Sequence, residues 1–486
     1  MDGIKMSDEP PNERSQSIRA LALMKNTVVL GLGTFLPKVA SFVILPILTG
    51  CLTKTEYGIY DLVITMVSLL LPAVTLQIQT AAFRFLIEVR NDIRGQRSVI
   101  TNSFAFVLPI SFLTLIILFF ALGDMDTIVK VFICFYFLAD VLANEARQCV
   151  RGLGMNAKYS ASAFISALAQ MILAILLVLV LGLGLLGASI LLFSAEALAF
   201  VYLVFAAKLY TYFDQKVLRF SLVKKMLAYA WPMVPNSMSM WVMNLSNRIV
   251  ITLFMGVAAN ASYAVASKIP QIVTLAQSTF TMAWQENASL AVKEEDSSEY
   301  YSKMFDIVFR FVSGFTALLI AATPALFPLL VKGGYDDAYF QIPALIFGML
   351  FSSMAAYLGG IYVAYMKTKS VGLTTIVAAL INLGIDIIGV PVFGLSAASA
   401  AIVVSYVFLC VYRMIDVRKF SYLSYSISIM CVTCLVIIIQ CALCILQLPL
   451  FNVVNAIIGI LLFSILNYSA LSKICRALII KMNTKN

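Results

Sequence analysis

The chain has 486 residues, 62% of them hydrophobic and only 12% charged, and its mean hydropathy is +0.96. A soluble protein of this size needs far more charged surface, so the chain reads as an all-α polytopic membrane protein. Histidine is absent, which removes His-based acid–base catalysis, Ser–His and Cys–His triads and His-ligated metal sites.

In chain order, a polar tail over 1–24 precedes a first apolar span, 25–50. Residues 1–20 are polar and the first apolar stretch is of full length without a small-residue cleavage site, so it reads as a span and not as a signal peptide. This span holds Pro37 and Pro46, with Lys38 near its middle. A cation at that depth costs about 2.5–3.5 kcal/mol on insertion scales, so Lys38 is expected to face water, a partner or a substrate. After a tight polar turn, YGIYDL opens span 2, 57–87. Four further spans follow at 98–122, 127–149, 159–182 and 186–207. A basic linker leads to spans 7 and 8 at 226–255 and 261–289, and the polar Lys293–Lys303 segment separates these from the rest. The remaining spans are 304–331, 338–365, 370–392, 395–415, 421–446 and 450–472, fourteen in all, each of about the length a bilayer requires. Four of the nine cysteines form Cys431-x-x-Cys434 and Cys441-x-x-Cys444, but they lie in one apolar stretch with no loop to fold back, so they read as small apolar packing and not as a zinc site.

The net charge of +10 is a topology signal and not a nucleic-acid footprint. Of the 34 Lys and Arg residues, 26 fall in the N-terminal tail and in alternate loops on one side; 3 (Lys54, Lys130 and Lys332) fall on the other, and 5 lie within spans. The positive-inside rule then places both termini in the cytoplasm. An internal repeat is also legible. Gly50…Tyr57 recurs as Gly256…Tyr263, and GLLGAS at 184–189 recurs as GLSAAS at 394–399. The expected organisation is therefore a cytoplasmic tail (1–24), an N-lobe of spans 1–6 (25–208), a cytoplasmic linker (209–225), a C-lobe of spans 7–12 (226–416), and two additional helices with a cytoplasmic tail (417–486). Parallel repeats of this kind are a transporter architecture. The prolines of spans 1, 2, 7 and 8 mark those helices for bending.

Charges within the spans are the candidate machinery. Arg84 has Glu88 four residues on, and Arg310 has Asp306 four residues back, so both are expected to pair within their own helix. Lys38, Arg248 and Lys268 have no carboxylate at helical spacing; the repeat sets Lys38 opposite Asn244, one turn before Arg248. These four are the candidate substrate-binding residues, with a cross-helix ion pair as the structural alternative. Asp61, Asp140, Glu145, Glu196 and Asp386 are candidate H+ or Na+ coupling positions, or else neutralise cations on neighbouring helices. Asp61 and Lys268 occupy nearly equivalent places in the two repeats and are a candidate gate.

The stretch NTVVLGLGTFLPKVASFVILPILTGCLTKTEYGIYDL, residues 26–62, resembles the opening of bacterial polysaccharide or O-antigen flippases of the Wzx type, in the multidrug/oligosaccharidyl-lipid/polysaccharide exporter superfamily. The resemblance implies a V-shaped pair of six-helix lobes in the bacterial cytoplasmic (inner) membrane. It further implies translocation of an undecaprenyl-pyrophosphate-linked oligosaccharide from the cytoplasmic to the periplasmic leaflet, with other polysaccharide-assembly proteins as partners. No enzyme activity, cofactor or nucleic acid is implied. The family's cationic central cavity matches Lys38, Arg248 and Lys268. A pyrophosphate also needs cations in a water-filled cleft on physical grounds. The alternatives are a multidrug exporter of the same superfamily, against which a lysine in span 1 counts, and a membrane glycan polymerase or acyltransferase, against which short outer loops and the missing histidine count.

Overall fold

A computed structural model describes residues 37–292, 294, 296–468 and 472, apart from the side chains at 236, 240, 244, 276, 278, 279, 282, 283, 286 and 368. The N-terminal tail, the first residues of span 1, Lys293 and most of the C-terminal tail lie outside the described residues, as does the side chain of Asn244.

Every one of the fourteen expected spans contains helix. In order these are α1 (Pro37–Cys51), α2 (Lys54–Thr75), α3 (Ile78–Glu88), α4 (Ile93–Ala121), α5 (Thr127–Gly152), α6 (Asn156–Leu173, continuing as a π-helix over Ala174–Val180) and α7 (Gly184–Ala206). Then come α8 (Phe220–Ala230), α9 (Met233–Met255), α10 (Val257–Ala266), α11 (Gln271–Ala291), α12 (Ser297–Leu330), the short α13 (Asp336–Tyr339), α14 (Ile342–Ala364), α15 (Thr368–Phe393), α16 (Leu395–Asp416), α17 (Ile427–Ile445) and α18 (Pro449–Leu466). Among the described residues, eleven helices are long and apolar enough to cross a membrane, and the protein is a multi-pass membrane protein.

Four expected spans are broken, span 10 only at its start, where residues 340 and 341 separate α13 from α14. Span 2 divides into α2 and α3 at Leu76 and Gln77, both left-handed with φ of 48° and 61°. Span 7 divides into α8 and α9 just before Pro232, and span 8 into α10 and α11 just before Pro270. Proline supplies no N–H to the helical ladder and its ring crowds the preceding turn, which accounts for the breaks in spans 7 and 8.

The described residues form two compact units: one holds 37–47 and Val67–Pro235, the other Leu48–Met66 and the described residues from Asn236 on. In the first unit α5 packs along α7, with Phe137, Ala143 and Ala146 of α5 and Ala188, Leu191 and Ala195 of α7 fully buried. Small side chains permit this close approach in a membrane. Asp92 and Asp126 cap α4 and α5, accepting from Arg94 N at 3.0 Å and Ile128 N at 2.8 Å. The expected Arg84–Glu88 pair is present at 3.2 Å. In the second unit α14 is central, packed against α11, α12 and α16. α12 has 34 residues, about 51 Å of helix, more than the hydrocarbon core requires; its polar first turns take up the end of the Lys293–Lys303 segment. Arg310 and Asp306 lie 4.0 Å apart on α12. Gln440 of α17 donates to the Asn455 side chain of α18 at 3.1 Å, and Cys444 lies beside Tyr339 in the core.

Candidate functional site

The second unit carries a buried charge cluster whose placement starts with a local signal. Thr53 and Glu56 form a reciprocal capping box: Glu56 Oε2 accepts from Thr53 N at 2.9 Å, and Thr53 Oγ1 accepts from Glu56 N at 3.2 Å. The box fixes where α2 begins and so places Asp61 two turns in, 3% exposed. α10 comes up against this turn because residue 58 is glycine; a Cβ there would run into the Val257 carbonyl. Asn260 of α10 then donates both to Gly58 O and to Asp61 Oδ2, each at 3.4 Å.

The other partner of Asp61 is the Arg248 guanidinium on α9, 6% exposed, which forms an ion pair with Asp61 Oδ1. Trp241, two turns earlier on α9, donates from Nε1 to Thr65 O of α2 at 3.2 Å and holds the helices in register. Beneath the pair, the Tyr57 ring packs edge-on to Tyr335 at 5.9 Å. Burial pushes the Tyr335 phenol up to about 12, so it stays neutral. Lys268 lies within electrostatic reach of both Asp61 and Arg248. It is half-buried in the four-residue break between α10 and α11, and makes no ion pair among the described residues. Asp61 and Lys268, the candidate gate, are unpaired with each other in this structure, where Arg248 takes the carboxylate. Arg248 offsets the Asp61 charge, and Lys268 is left as a further cation without an ion pair among the described residues.

The residues just before Arg248 serve a second network. Asn247 donates to Asp386 Oδ1 of α15 at 3.1 Å and to Ala398 O of α16 at 3.2 Å, and Ser246 Oγ lies 3.5 Å from Asn382 Oδ1. Asp386 is fully buried with no cationic partner among the described residues. Its Oδ2, Asn247 Oδ1 and Asn382 Nδ2 are all without hydrogen bonds. The two orphan oxygens, Asp386 Oδ2 and Asn247 Oδ1, are of the kind hard cations favour, and a proton on Asp386 is the other way to satisfy its carboxylate.

In the first unit Glu196 of α7 accepts from Arg147 of α5 at 2.8 Å and from Ser166 of α6 at 2.7 Å. Asp140, two turns before Arg147, accepts from Asn144 at 3.0 Å and feels the Glu196 charge. Glu145 is 1% exposed, with the Cys149 thiol at 3.8 Å and Oε2 unpartnered. Lys38 is exposed on α1 and makes no ion pair among the described residues.

Two functional-type residues escape a reading by loop charge. Arg147 and Arg413 look like loop cations, yet Arg147 is half-buried within α5 and paired with Glu196. Arg413 is 4% exposed and donates to Ala355 O at 2.7 Å and to Thr374 and Thr375 at 3.1 and 3.0 Å. Asn260 and Asn382 carry no charge to flag them, although Asn382 and Asp386 stand one helical turn apart.

No curated protein matches the chain. Among solved structures, it is similar to the lipid II flippase MurJ in an inward closed conformation, with a TM-score of 0.68 at 13% identity, over 93% of this chain and 100% of that one. An inward-facing multidrug resistance MATE family transporter of the MOP superfamily gives a TM-score of 0.66 at 12% identity, over 81% and 98%. A MOP superfamily transporter from Pyrococcus furiosus, described as having a binding pocket of reverse polarity, gives 0.55 at 13%, over 82% and 96%. The family model described as polysaccharide biosynthesis protein matches residues 23–286, more than half of the chain. The chain therefore belongs to the polysaccharide biosynthesis protein family and has the membrane fold shared by flippases and exporters of the MOP superfamily.

Proposed function

We propose that this protein is a lipid-linked oligosaccharide flippase of the bacterial cytoplasmic membrane. It moves an undecaprenyl-pyrophosphate-linked glycan unit from the cytoplasmic to the periplasmic leaflet by alternating access, coupled to H+ or Na+, with both termini cytoplasmic. The observation that carries this reading is the cation left over beside the Arg248–Asp61 ion pair: Lys268 has no ion pair among the described residues of an apolar unit. Such an excess is costly to keep in a membrane and suits an anionic ligand, whereas it repels a cationic drug. A pyrophosphate competes with Asp61 for the Arg248 fork, and Asn244, one turn earlier on α9, supplies an amide. Once Arg248 turns to the pyrophosphate, Asp61 is released to pair with Lys268, so the substrate contact and the gate share one carboxylate. Lys38 is assigned a contact of its own on the first helix. Asp386 is the leading coupling position, because its orphan Oδ2 is free to take a cation or a proton; Asp140, Glu145 and Glu196 are the candidates in the first unit. The glycan delivered passes to other polysaccharide-assembly proteins.

The test is reconstitution in liposomes with imposed Na+ or pH gradients. Translocation of a lipid-linked oligosaccharide, accelerated by one of the gradients, is the expected outcome. Uptake of cationic drugs without oligosaccharide movement overturns the reading in favour of a multidrug exporter.

A further inference from the structure

Outside the charge cluster, the first unit carries a cleft of about 370 Å³ between the start of α4 and the start of α8. Arg94, Arg219 and Lys225 line it, and none of them makes an ion pair among the described residues. Two carboxylates also line it, but both are engaged elsewhere: Glu88 pairs with Arg84, and Asp92 caps α4. The cleft is preformed. Asn102, 1% exposed, donates to Val217 O at 3.0 Å and accepts from Arg219 N at 2.7 Å; Thr101 donates to Tyr212 O at 3.1 Å and accepts from Asp214 N at 3.1 Å. These two side chains of α4 hold the backbone of 212–219 in place, so the basic side chains converge without further ordering.

The surroundings indicate what fills it. Residues 84–97 and 208–225 together hold nine Lys and Arg against three carboxylates. α8 buries Val223, Met226 and Ala230 on one face. On the outside, Phe220 is 83% exposed and Trp231 58%, and Leu218, Phe213 and Tyr229 are exposed beside them. Cations alternating with exposed aromatic and apolar side chains are the signature of a segment lying in the membrane interface. We propose that this cleft seats the phosphodiester headgroup of an anionic phospholipid of the phosphatidylglycerol class, with its acyl chains against the exposed side chains of α8. Three cations offset by two carboxylates suit a monoanionic phosphodiester better than a more highly charged pyrophosphate, which separates this site from the substrate contact. The cleft at the repeat-equivalent place in the second unit, by the start of α12, lacks a free cation: Lys303 there is bound to Glu299 at 2.6 Å.

The experiment is thermal unfolding of the full chain in phosphatidylcholine-containing micelles titrated with phosphatidylglycerol. The wild type is expected to gain a saturable rise in melting midpoint. Arg219→Gln/Lys225→Gln is expected to need about tenfold or more phosphatidylglycerol for half the rise, since each basic residue near an anionic lipid surface contributes about fivefold in binding and two are removed. Arg219→Lys/Lys225→Arg and Lys303→Gln are expected to respond as the wild type does. If the double Gln variant fails to fold, Arg94→Gln on the opposite wall gives the same reading. An unchanged response in these Gln variants overturns the proposal, as does an equal rise with inorganic phosphate, which would mean a simple anion site.

Discussion

Asp61 accepts from a guanidinium and an amide in a setting nearly closed to water, which makes it a test of structural against functional charge. Removing one partner of a buried ion pair leaves the other uncompensated and typically costs about 3–5 kcal/mol, whereas removing both costs much less. Asp61→Asn and Arg248→Gln are therefore each expected to lower the melting midpoint, and the double variant to recover most of the loss while failing in export. Lys268→Gln breaks no ion pair, so it is expected to keep stability and abundance yet lose export, with Lys268→Arg retaining part of it because the charge survives. Normal export by Lys268→Gln would remove Lys268 from the substrate and gate roles. Asp386 is examined separately, by the melting midpoint in Na+ against choline buffer and across pH. The wild type is expected to respond to one of the two, and Asp386→Asn, neutral and of the same shape, to neither. An Asn variant as responsive as the wild type would show that the ion acts elsewhere.

At the scale of the element, broken helices put polar groups where continuous ones would hide them. Lys268 occupies the break before Pro270, and α11 starts at Gln271, so a cation stands between two helix ends inside an apolar unit. The short α10 depends on Gly256, whose φ of 86° and ψ of 171° belong to a region essentially reserved for glycine. Nothing lies within 4 Å of where its Cβ would be, so the constraint is the backbone and not packing. Gly256→Ala is expected to cost about 1–3 kcal/mol through that strain and to move Asn260 away from Asp61. The readouts are the melting midpoint and export; a variant as stable as the wild type would show that the α9–α10 turn is pliable. Gly58 acts differently, through close approach to Val257.

At the scale of the whole molecule, the distribution of Lys and Arg commits the chain to one orientation. Cysteines introduced singly into a cysteine-free background are expected to be labelled from outside intact cells at positions 54, 130 and 332. Position 296, just before α12, is expected to stay unlabelled. Labelling there would overturn the even span count. Orientation also determines which leaflet the α8 cleft meets, since the 208–225 segment belongs to the strongly basic side.

The all-helical membrane class, the span order and the Arg84–Glu88 and Arg310–Asp306 pairs were all legible in the sequence. Each follows from an interaction of short range along the chain, apolar runs or i to i+4 spacing, whereas α2 starts at Lys54, ahead of the expected 57, because of the Thr53–Glu56 box. The fates of the remaining charges were not legible. Arg248 and Asp61 are 187 residues apart, Asn247 and Asp386 139, and Arg147 and Glu196 49. Which carboxylate meets which cation depends on how helices pack, and a helix offers its neighbours several faces of similar hydropathy. For the same reason Arg147 and Arg413 pass for loop cations until packing encloses them. The break at Leu76 and Gln77 has no proline at the site to announce it; only the folded chain shows two left-handed residues in the midst of an apolar run. The sequence alone determined that charges lie in the membrane, because their cost there is a property of each residue. Tertiary structure decided which of them are neutralised, because that is a property of pairs.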